Sequence, residues 1–292
     1  MNSPSMSIEA RSEMTAVRDA VVRAADRLAE AGVASPRYDA EALAAHVLGH
    51  SRSALLVSSW NPAQARAYAD LVGERARRIP LQHLIGVAGF RRLDLAVGPG
   101  VFIPRPETEL LVSWGLRQIA ELASPVVVDL GAGSGAVALS VATEAPGSIV
   151  YAVEREALAL AWLRRNTAGT RVQVVAGDAT APSVLAEVDG SVDLVLTNPP
   201  YIPLGARVEP EVAEHDPGAA LWGGADGLDV VRGMAARAQV LLRPGGAVAI
   251  EHADLQGRSV PALLRAAGGW ENVADHPDLA GRDRFTTARR SS

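Results

Sequence analysis

Five apolar runs recur through the second half of this sequence: PVVVDL (125–130), IVYAVE (149–154), VQVVAG (172–177), VDLVLT (192–197) and AVAIEH (247–252). Stretches with helical periodicity separate them at 135–144, 156–167 and 228–242. Strands this uniformly apolar must be buried on both faces, and strands joined through helices pair in parallel, so the pattern predicts a parallel sheet with helices on each side. The tail differs. GWENVADH and RFTTARR read as two further strands joined by PDLAGRD, a loop too short for a crossover helix, which makes the last strand antiparallel to its neighbour. The expected fold class is α/β, with a seven-stranded, mostly parallel sheet.

The first part of the chain follows another pattern. Residues 13–83 read as a small bundle of three or four short helices. Ser12 is placed to cap a segment with Val17, Val21, Val22 and Leu28 on one face. Ser35-Pro36 and Asn61-Pro62 each set a capping side chain before a proline at the first helical position. After Pro80 the sequence LQHLIGVAGFRRLDLAVGPGVFIPRPETE carries Gly86, Gly89, Gly98 and Gly100 and the alternation FRRLDLAV, so 84–106 reads as a hairpin-like connector. The α/β domain then occupies 107–292. A length of 292 residues accommodates both parts. Residues 1–12 are polar, lack the apolar centre of a signal peptide, and read as a disordered start.

Composition removes whole classes of function. There is no cysteine, which excludes disulfides, thiolate nucleophiles and Cys-type zinc sites. All 28 basic residues are Arg and the net charge is −5, so no Schiff-base or P-loop lysine exists. The acidic balance counts against a protein that grips nucleic acid through phosphates. The six histidines are scattered without ligand spacing, and no metal is expected. No apolar run reaches the roughly 18 residues of a membrane span; a cytoplasmic location and no membrane partner are expected.

DLGAGSGAVAL joins the first strand directly to a helix. Gly131, Gly133 and Gly135, with Ala132 and Ser134 between them, permit a tight turn and let a ligand approach the backbone beside a helix N-terminus. Glu154 ends the second strand, where an acid can accept bonds from both hydroxyls of a ribose. Asp178 follows the third strand, where an acid can bind an adenine amine, and Ala179 stands beside it. Taken singly, each acid could equally be a solvated strand-end carboxylate. Asp129 reads as internal support for the loop. This architecture serves NAD as well as S-adenosylmethionine; the antiparallel final strand and the fourth-strand motif favour the second.

That motif is Thr197-Asn198-Pro199-Pro200-Tyr201, on the same sheet edge as the glycine loop. The two prolines hold the Asn198 side chain and the following carbonyls in a rigid extended course. The plain alternative is a strand terminator with an edge aromatic. An amide nitrogen is a poor nucleophile because its lone pair is delocalised. Asn198 Oδ1 and the Pro199 carbonyl can accept its two N–H bonds and stabilise the positive charge that develops there, while Tyr201 packs against the flat group.

VFIPRPETELL, DLGAGSGAVAL, TNPPYIP and EPEVAEHDPGAALWGGADGLD together resemble the HemK/PrmC family, the release-factor glutamine methyltransferases, and the resemblance covers nearly the whole chain. It implies a class I, Rossmann-like methyltransferase domain behind a small N-terminal helical domain. The implied cofactor is S-adenosylmethionine, and the implied substrate is the Gln of the Gly-Gly-Gln motif of class 1 peptide chain release factors, which the helical domain helps to hold. By the same resemblance Gly131, Gly133 and Gly135 face the methionine part of the cofactor, Glu154 the ribose and Asp178 the adenine. Asn198, Pro199, Pro200 and Tyr201 then face the glutamine. Three departures stand out: Ala179 where relatives often carry an aromatic, Glu154 where Asp is also common, and His215-Asp216-Pro217 in place of a more usual aromatic-Glu-Pro.

Arg105, Glu107 and Glu109 of PRPETE read as a helix start at least as readily as direct ligands. His252, after the fifth strand, reads as structural or solvent-facing rather than catalytic, since the reaction needs no base. Three rivals are an adenine methyltransferase, an NAD-dependent oxidoreductase and a non-catalytic interaction protein. A nucleic-acid substrate is not expected, and the chain is expected to be a monomer.

Overall fold

A computed structural model describes residues 8–292, with side chains from Val17 onward. In chain order, α1 (Ile8–Glu30), α2 (Pro36–Leu48), α3 (Pro62–Ala76) and α4 (Leu81–Ile85) lead into a hairpin, β1 (Val87–Phe90) and β2 (Leu93–Ala96). Then follow α5 (Thr108–Ile119), β3 (Val126–Leu130), α6 (Ala136–Glu144), β4 (Ile149–Glu154), α7 (Ala157–Thr167), β5 (Gln173–Ala176) and β6 (Val192–Thr197). The chain ends with α8 (Pro210–His215), α9 (Gly218–Leu221), α10 (Asp229–Leu241), β7 (Leu242–Glu251), α11 (Ser259–Ala267), β8 (Trp270–Pro277) and β9 (Asp283–Arg290). Two compact units result: the chain through Gly86 together with Pro210–His215, and Val87–Glu209 together with Asp216–Ser292.

The helical unit is built on spacings of four and three. Val17, Val21, Ala24 and Leu28 of α1 are all buried, whereas Val22 is exposed. A helix turns about 100° per residue, so Val21 and Val22 cannot share the narrow stripe expected of them. Ser12 lies inside α1, not at its cap, because the helix already begins at Ile8. Of the stretch 1–12, expected to be disordered, residues 8–12 fall in α1 and 1–7 lie outside the described residues. Asn61 caps α3 as expected: its side chain accepts from Gln64 N at 3.0 Å and the Gln64 side chain accepts from Asn61 N at 2.9 Å, a reciprocal box. Ser35 holds the cap position of α2 with Pro36 behind it, but its side chain makes no cap bond.

One ionic cluster in this unit crosses long stretches of sequence. Arg75 is 4 % exposed and donates to Asp39 at 2.7 Å, to the Ile79 carbonyl at 3.0 Å and to Glu211 of α8 at 2.9 Å. Arg78 also donates to Glu211, at 2.8 Å. Burial raises the Asp39 carboxyl against the pull of Arg75. The cost of burying the Arg75 charge is offset by its three acceptors, Asp39, the Ile79 carbonyl and Glu211.

The second unit carries the seven-stranded sheet in the order β5-β4-β3-β6-β7-β9-β8. β3 through β7 are parallel, and β9 runs antiparallel to both β7 and β8, as the short PDLAGRD loop requires. β7 begins at Leu242, five residues earlier than the apolar run. Val192 pairs Leu242 and Leu194 pairs Ala247, so Arg243-Pro244-Gly245-Gly246 is absorbed as an irregularity in the ladder. Two apolar layers flank the sheet, one under α5, α6 and α7 and one under α10 and α11. The β1–β2 hairpin is fastened to the first layer. Arg91, at its turn, pairs with Glu144 and donates its backbone N–H to Glu109, while Asn166 bonds both backbone groups of Ala96.

Candidate active site

Strand order reverses between β3 and β6, and in open α/β sheets ligands bind at such a reversal, beyond the carboxyl ends of the strands. β3 opens there into the glycine loop and β6 into TNPPYIP. Thr197 ties the two exits together by donating to the Leu130 carbonyl at 2.7 Å. A single pocket lies beyond them, lined among others by Gly131, Ala132, Gly133, Ser134, Glu154, Asp178, Ala179, Asn198 and Pro200. Residues read from sequence positions up to 69 apart thus meet in one place. Gly135, Pro199 and Tyr201 are not among the lining residues.

The glycine loop owes its course to left-handed backbone. Gly131, Gly133 and Gly135 have φ of +80°, +55° and +89°, a region that costs other L-residues about 1–2 kcal/mol each. Gly135 faces the core: a Cβ there would stand 2.8 Å from Leu163 Cδ1. The loop is held from β4, since Val153 O accepts both the Gly131 and Ala132 N–H groups. Glu154 is 8 % exposed and accepts from Gly133 N, Arg155 N and Glu156 N, each at 2.8 Å. Those amides fix the carboxylate and leave it further lone pairs for a ligand.

Asp178 accepts from the backbone and hydroxyl of Thr180 at 2.8 and 2.7 Å and from Arg155 at 3.3 Å. These bonds, the Thr180 amide first, hold its carboxyl below the ordinary range. Asp129, 2 % exposed, accepts from Ala138 N of α6 at 3.0 Å, so it supports the first turn of the helix and not the loop amides expected. Burial pushes its carboxyl up to about 7.

At the exit of β6, Asn198 Nδ2 donates to Thr108 Oγ1 at 3.2 Å. The Tyr201 carbonyl accepts from Gln256 Nε2 at 3.0 Å. Burial raises the phenol above its usual range. In PRPETE, Arg105 pairs with Asp216 at 2.6 Å and lies 4.9 Å over the Phe102 ring. Glu109 accepts from the Arg91 amide. Thr108, between these charged residues, is the one that reaches Asn198, and a single threonine at a helix start carries no sequence signature. Phe90, Phe102, Arg155 and Met234 also line the pocket and carry no local signature. His252 is fully buried, not solvent-facing, and bonds Asp275 and Thr286 at 2.7 and 3.0 Å.

The lining chemistry discriminates between cofactor classes. Asp129, Glu154, Glu156 and Asp178 face a pocket whose only cationic side chain among the lining residues is Arg155. Such a set suits a cationic sulfonium and ammonium ligand better than a pyrophosphate, whose charge it would repel. The residues present therefore fit S-adenosylmethionine.

Family models agree with both parts of the chain: one described as PrmC N-terminal domain matches residues 19–86, and one described as methyltransferase small domain matches residues 93–215. Among solved structures, the hMettl16 catalytic domain superposes with a TM-score of 0.54 at 17% identity, covering 76% of this chain and 82% of that one. A 16S rRNA methyltransferase from T. thermophilus, solved with AdoMet and guanosine, gives 0.51 at 22% identity, covering 70% of this chain and 49% of its own. These likenesses establish the class I methyltransferase fold. The release factor glutamine methyltransferase of Streptomyces coelicolor is 50% identical over 275 residues, 93% of this chain and 97% of that protein. The enzyme of the same description from Mycolicibacterium smegmatis is 50% identical over 278 residues, 95% of this chain and 99% of that protein. With matches of this identity running from the helical unit through the sheet and its antiparallel end, the chain belongs to the release factor glutamine methyltransferase family.

Proposed function

We propose that this chain methylates the side-chain amide nitrogen of the Gln in the Gly-Gly-Gln motif of class 1 release factors, with Asn198 and Pro199 as its acceptor clamp. The observation that carries the reading is the Asn198 carboxamide. Its Nδ2 is occupied by Thr108, while Oδ1 has no protein partner among the described residues and belongs to a group that lines the pocket. A planar amide presenting two N–H groups fits that free acceptor and the Pro199 carbonyl. S-adenosylmethionine, when bound, supplies a methyl group on a positively charged sulfur.

The protein's part is to aim and to stabilise. Asn198 Oδ1 and Pro199 O hold both N–H groups so that the nitrogen lone pair points at the methyl carbon. Methyl transfer would form the C–N bond as the C–S pair returns to sulfur, and Asn198 Oδ1 and Pro199 O would meet the positive charge that builds on nitrogen. The same two oxygens then accept from more acidic N–H groups, so they bind the transition state more tightly than the ground state. One N–H proton departs after transfer, and no general base is required.

In this reading Gly131, Ala132, Gly133, Ser134 and Gly135 receive the methionine part of the cofactor, Glu154 the ribose hydroxyls, and Asp178 with Ala179 the adenine. Pro200 and Tyr201 shape the substrate side. Residues 13–83 form the domain that helps hold the release factor, 84–106 the connector and 107–292 the catalytic domain. The enzyme acts as a monomer in the cytoplasm.

Glu154→Ala is expected to weaken cofactor binding by about ten- to a hundredfold, the value of a hydrogen-bonded charge. Isothermal titration reads this directly, and unchanged affinity removes Glu154 from the site. For the whole reading, the chain is incubated with methyl-labelled S-adenosylmethionine and either a class 1 release factor or nucleic acid. Label is expected on the Gly-Gly-Gln glutamine by peptide mass spectrometry. Label on nucleic acid alone would make the adenine rival correct.

A further inference from the structure

We propose that Thr108 and Glu251 are positioning residues that decide which end of the Asn198 carboxamide faces the substrate. The inference rests on the role given to Asn198 above. A carboxamide has nearly the same shape either way round, yet only its oxygen can accept the substrate N–H; turned over, it would set NH₂ against NH₂. Something on the protein side must therefore hold the Asn198 amide in one sense.

A chain of hydrogen bonds does so. Asn198 Nδ2 donates to Thr108 Oγ1 at 3.2 Å. Thr108 opens α5 and is 4 % exposed, so water does not take its place. A hydroxyl that accepts from Asn198 needs a different acceptor for its own proton. The buried Glu251 carboxylate is the acceptor at hand: the Thr108 hydroxyl, and more weakly the Tyr201 phenol, pull its carboxyl down. Glu251 ends β7 and is 1 % exposed. Thr197 and Ile250 are register partners on the adjacent strands β6 and β7, so Asn198 and Glu251 leave the sheet side by side.

An ionised carboxylate can only accept. With Glu251 ionised, Thr108 must donate to it and is left to accept from Asn198, and Oδ1 is left for the substrate. Protonation dissolves this order. Among the described residues Glu251 Oε2 has no hydrogen-bond partner, and a proton on this carboxyl gives it a donor. Thr108 can then receive from Glu251 and donate to Asn198 Oδ1, which turns the carboxamide over.

The surroundings place this change near neutrality. Burial pushes the Glu251 carboxyl up to about 7; the Thr108 and Tyr201 hydroxyls and Arg284 of β9 oppose the rise, and Glu107 before α5 adds to it. Arg284 is itself paired with Asp278 at 3.0 Å. His252, just past the end of the strand, directs its ring to Asp275 and Thr286. The working form is the charged one, so kcat rises as pH rises through about 7. The substrate amide does not titrate in this range.

The test measures kcat and KM of the full chain with a release factor as substrate across that range, with cofactor affinity by calorimetry alongside. Thr108→Val is expected to lower kcat about tenfold or more with cofactor affinity kept, and Thr108→Ser to restore it to within about threefold. Wild type should show the inflection near neutrality and Glu251→Gln should lose it. A Thr108→Val enzyme with wild-type kcat, or an inflection that survives in Glu251→Gln, overturns the proposal. Should Thr108→Val fail to fold, the profiles of wild type and Glu251→Gln decide. Full activity in Asn198→Ala would bring down the reading of the site itself, whereas an inactive Asn198→Ala beside a normal Thr108→Val brings down this inference alone.

Discussion

Asn198→Ala should retain cofactor binding and lose about 10²–10³-fold in kcat, the scale set by removing one preorganised group that meets charge developing in a transition state. The prediction separates catalysis from binding because of where Asn198 sits. Its amide nitrogen is held by Thr108 and its backbone by the end of β6 and Pro199, so truncating the side chain leaves the sheet and the glycine loop untouched. Thr197 still joins β6 to Leu130, and Glu154 keeps its three amide donors. The deficit should therefore fall in kcat with methyl-labelled cofactor and release factor, while titration of the cofactor gives a dissociation constant within a few-fold of wild type. A variant with full turnover would leave the clamp without a function.

Gly227→Ala should be as damaging from outside the pocket. Gly227 has φ +77°, and a Cβ there would stand 2.3 Å from the Tyr201 carbonyl oxygen and 2.8 Å from Gln256 Nε2. The φ alone costs about 1–2 kcal/mol. The contact matters more, because the obstructing atom is backbone and the motif is stiffened by two prolines. The Tyr201 carbonyl and its bond from Gln256 must shift by about an ångström, and a misplacement of that size can cost about 10² in rate. Gly223 packs the same way, its Cβ position 2.6 Å from the Pro200 carbonyl. Gly223 and Gly227 of WGGADG are therefore the bed on which Pro200 and Tyr201 lie. Gly205→Ala provides the control: φ is +82° with nothing within 4 Å, so it should lose stability by the φ cost while keeping turnover. Equal kinetics for the two variants would show that the bed has no influence on the clamp.

How much was legible depended on how local the cause was. Strands β3, β4 and β6 stood out because burial on both faces writes a continuous apolar run, whereas β5, at the sheet edge, has an apolar run whose residues are only half-buried or exposed. The Asn61 cap stood out because its partner is three residues away. The N-terminal start of β7 did not, since Arg243-Pro244-Gly245-Gly246 enters the ladder only through its pairing with β6. Nor did α8: PEVAEH has no apolar face, and it joins the helical unit through Glu211 meeting Arg75 from 136 positions away. Val22 looked like part of the α1 stripe and is exposed because adjacent residues on a helix diverge by about 100°.

The sequence by itself determined the sheet, the glycine loop, the acids that end the strands and the Asn-Pro-Pro-Tyr motif, because each is a short run whose chemistry and backbone preference act within a few residues. Only the tertiary structure decided which way the Asn198 amide points, what lies beneath the Tyr201 carbonyl, and that Thr108 bonds Asn198 beside the end of β7. Those outcomes rest on hydrogen bonds and close contacts between the start of α5, the ends of β6 and β7 and the loop before α10. Such contacts have no period and no motif, since they exist only once the parallel strands bring their carboxyl ends to one edge.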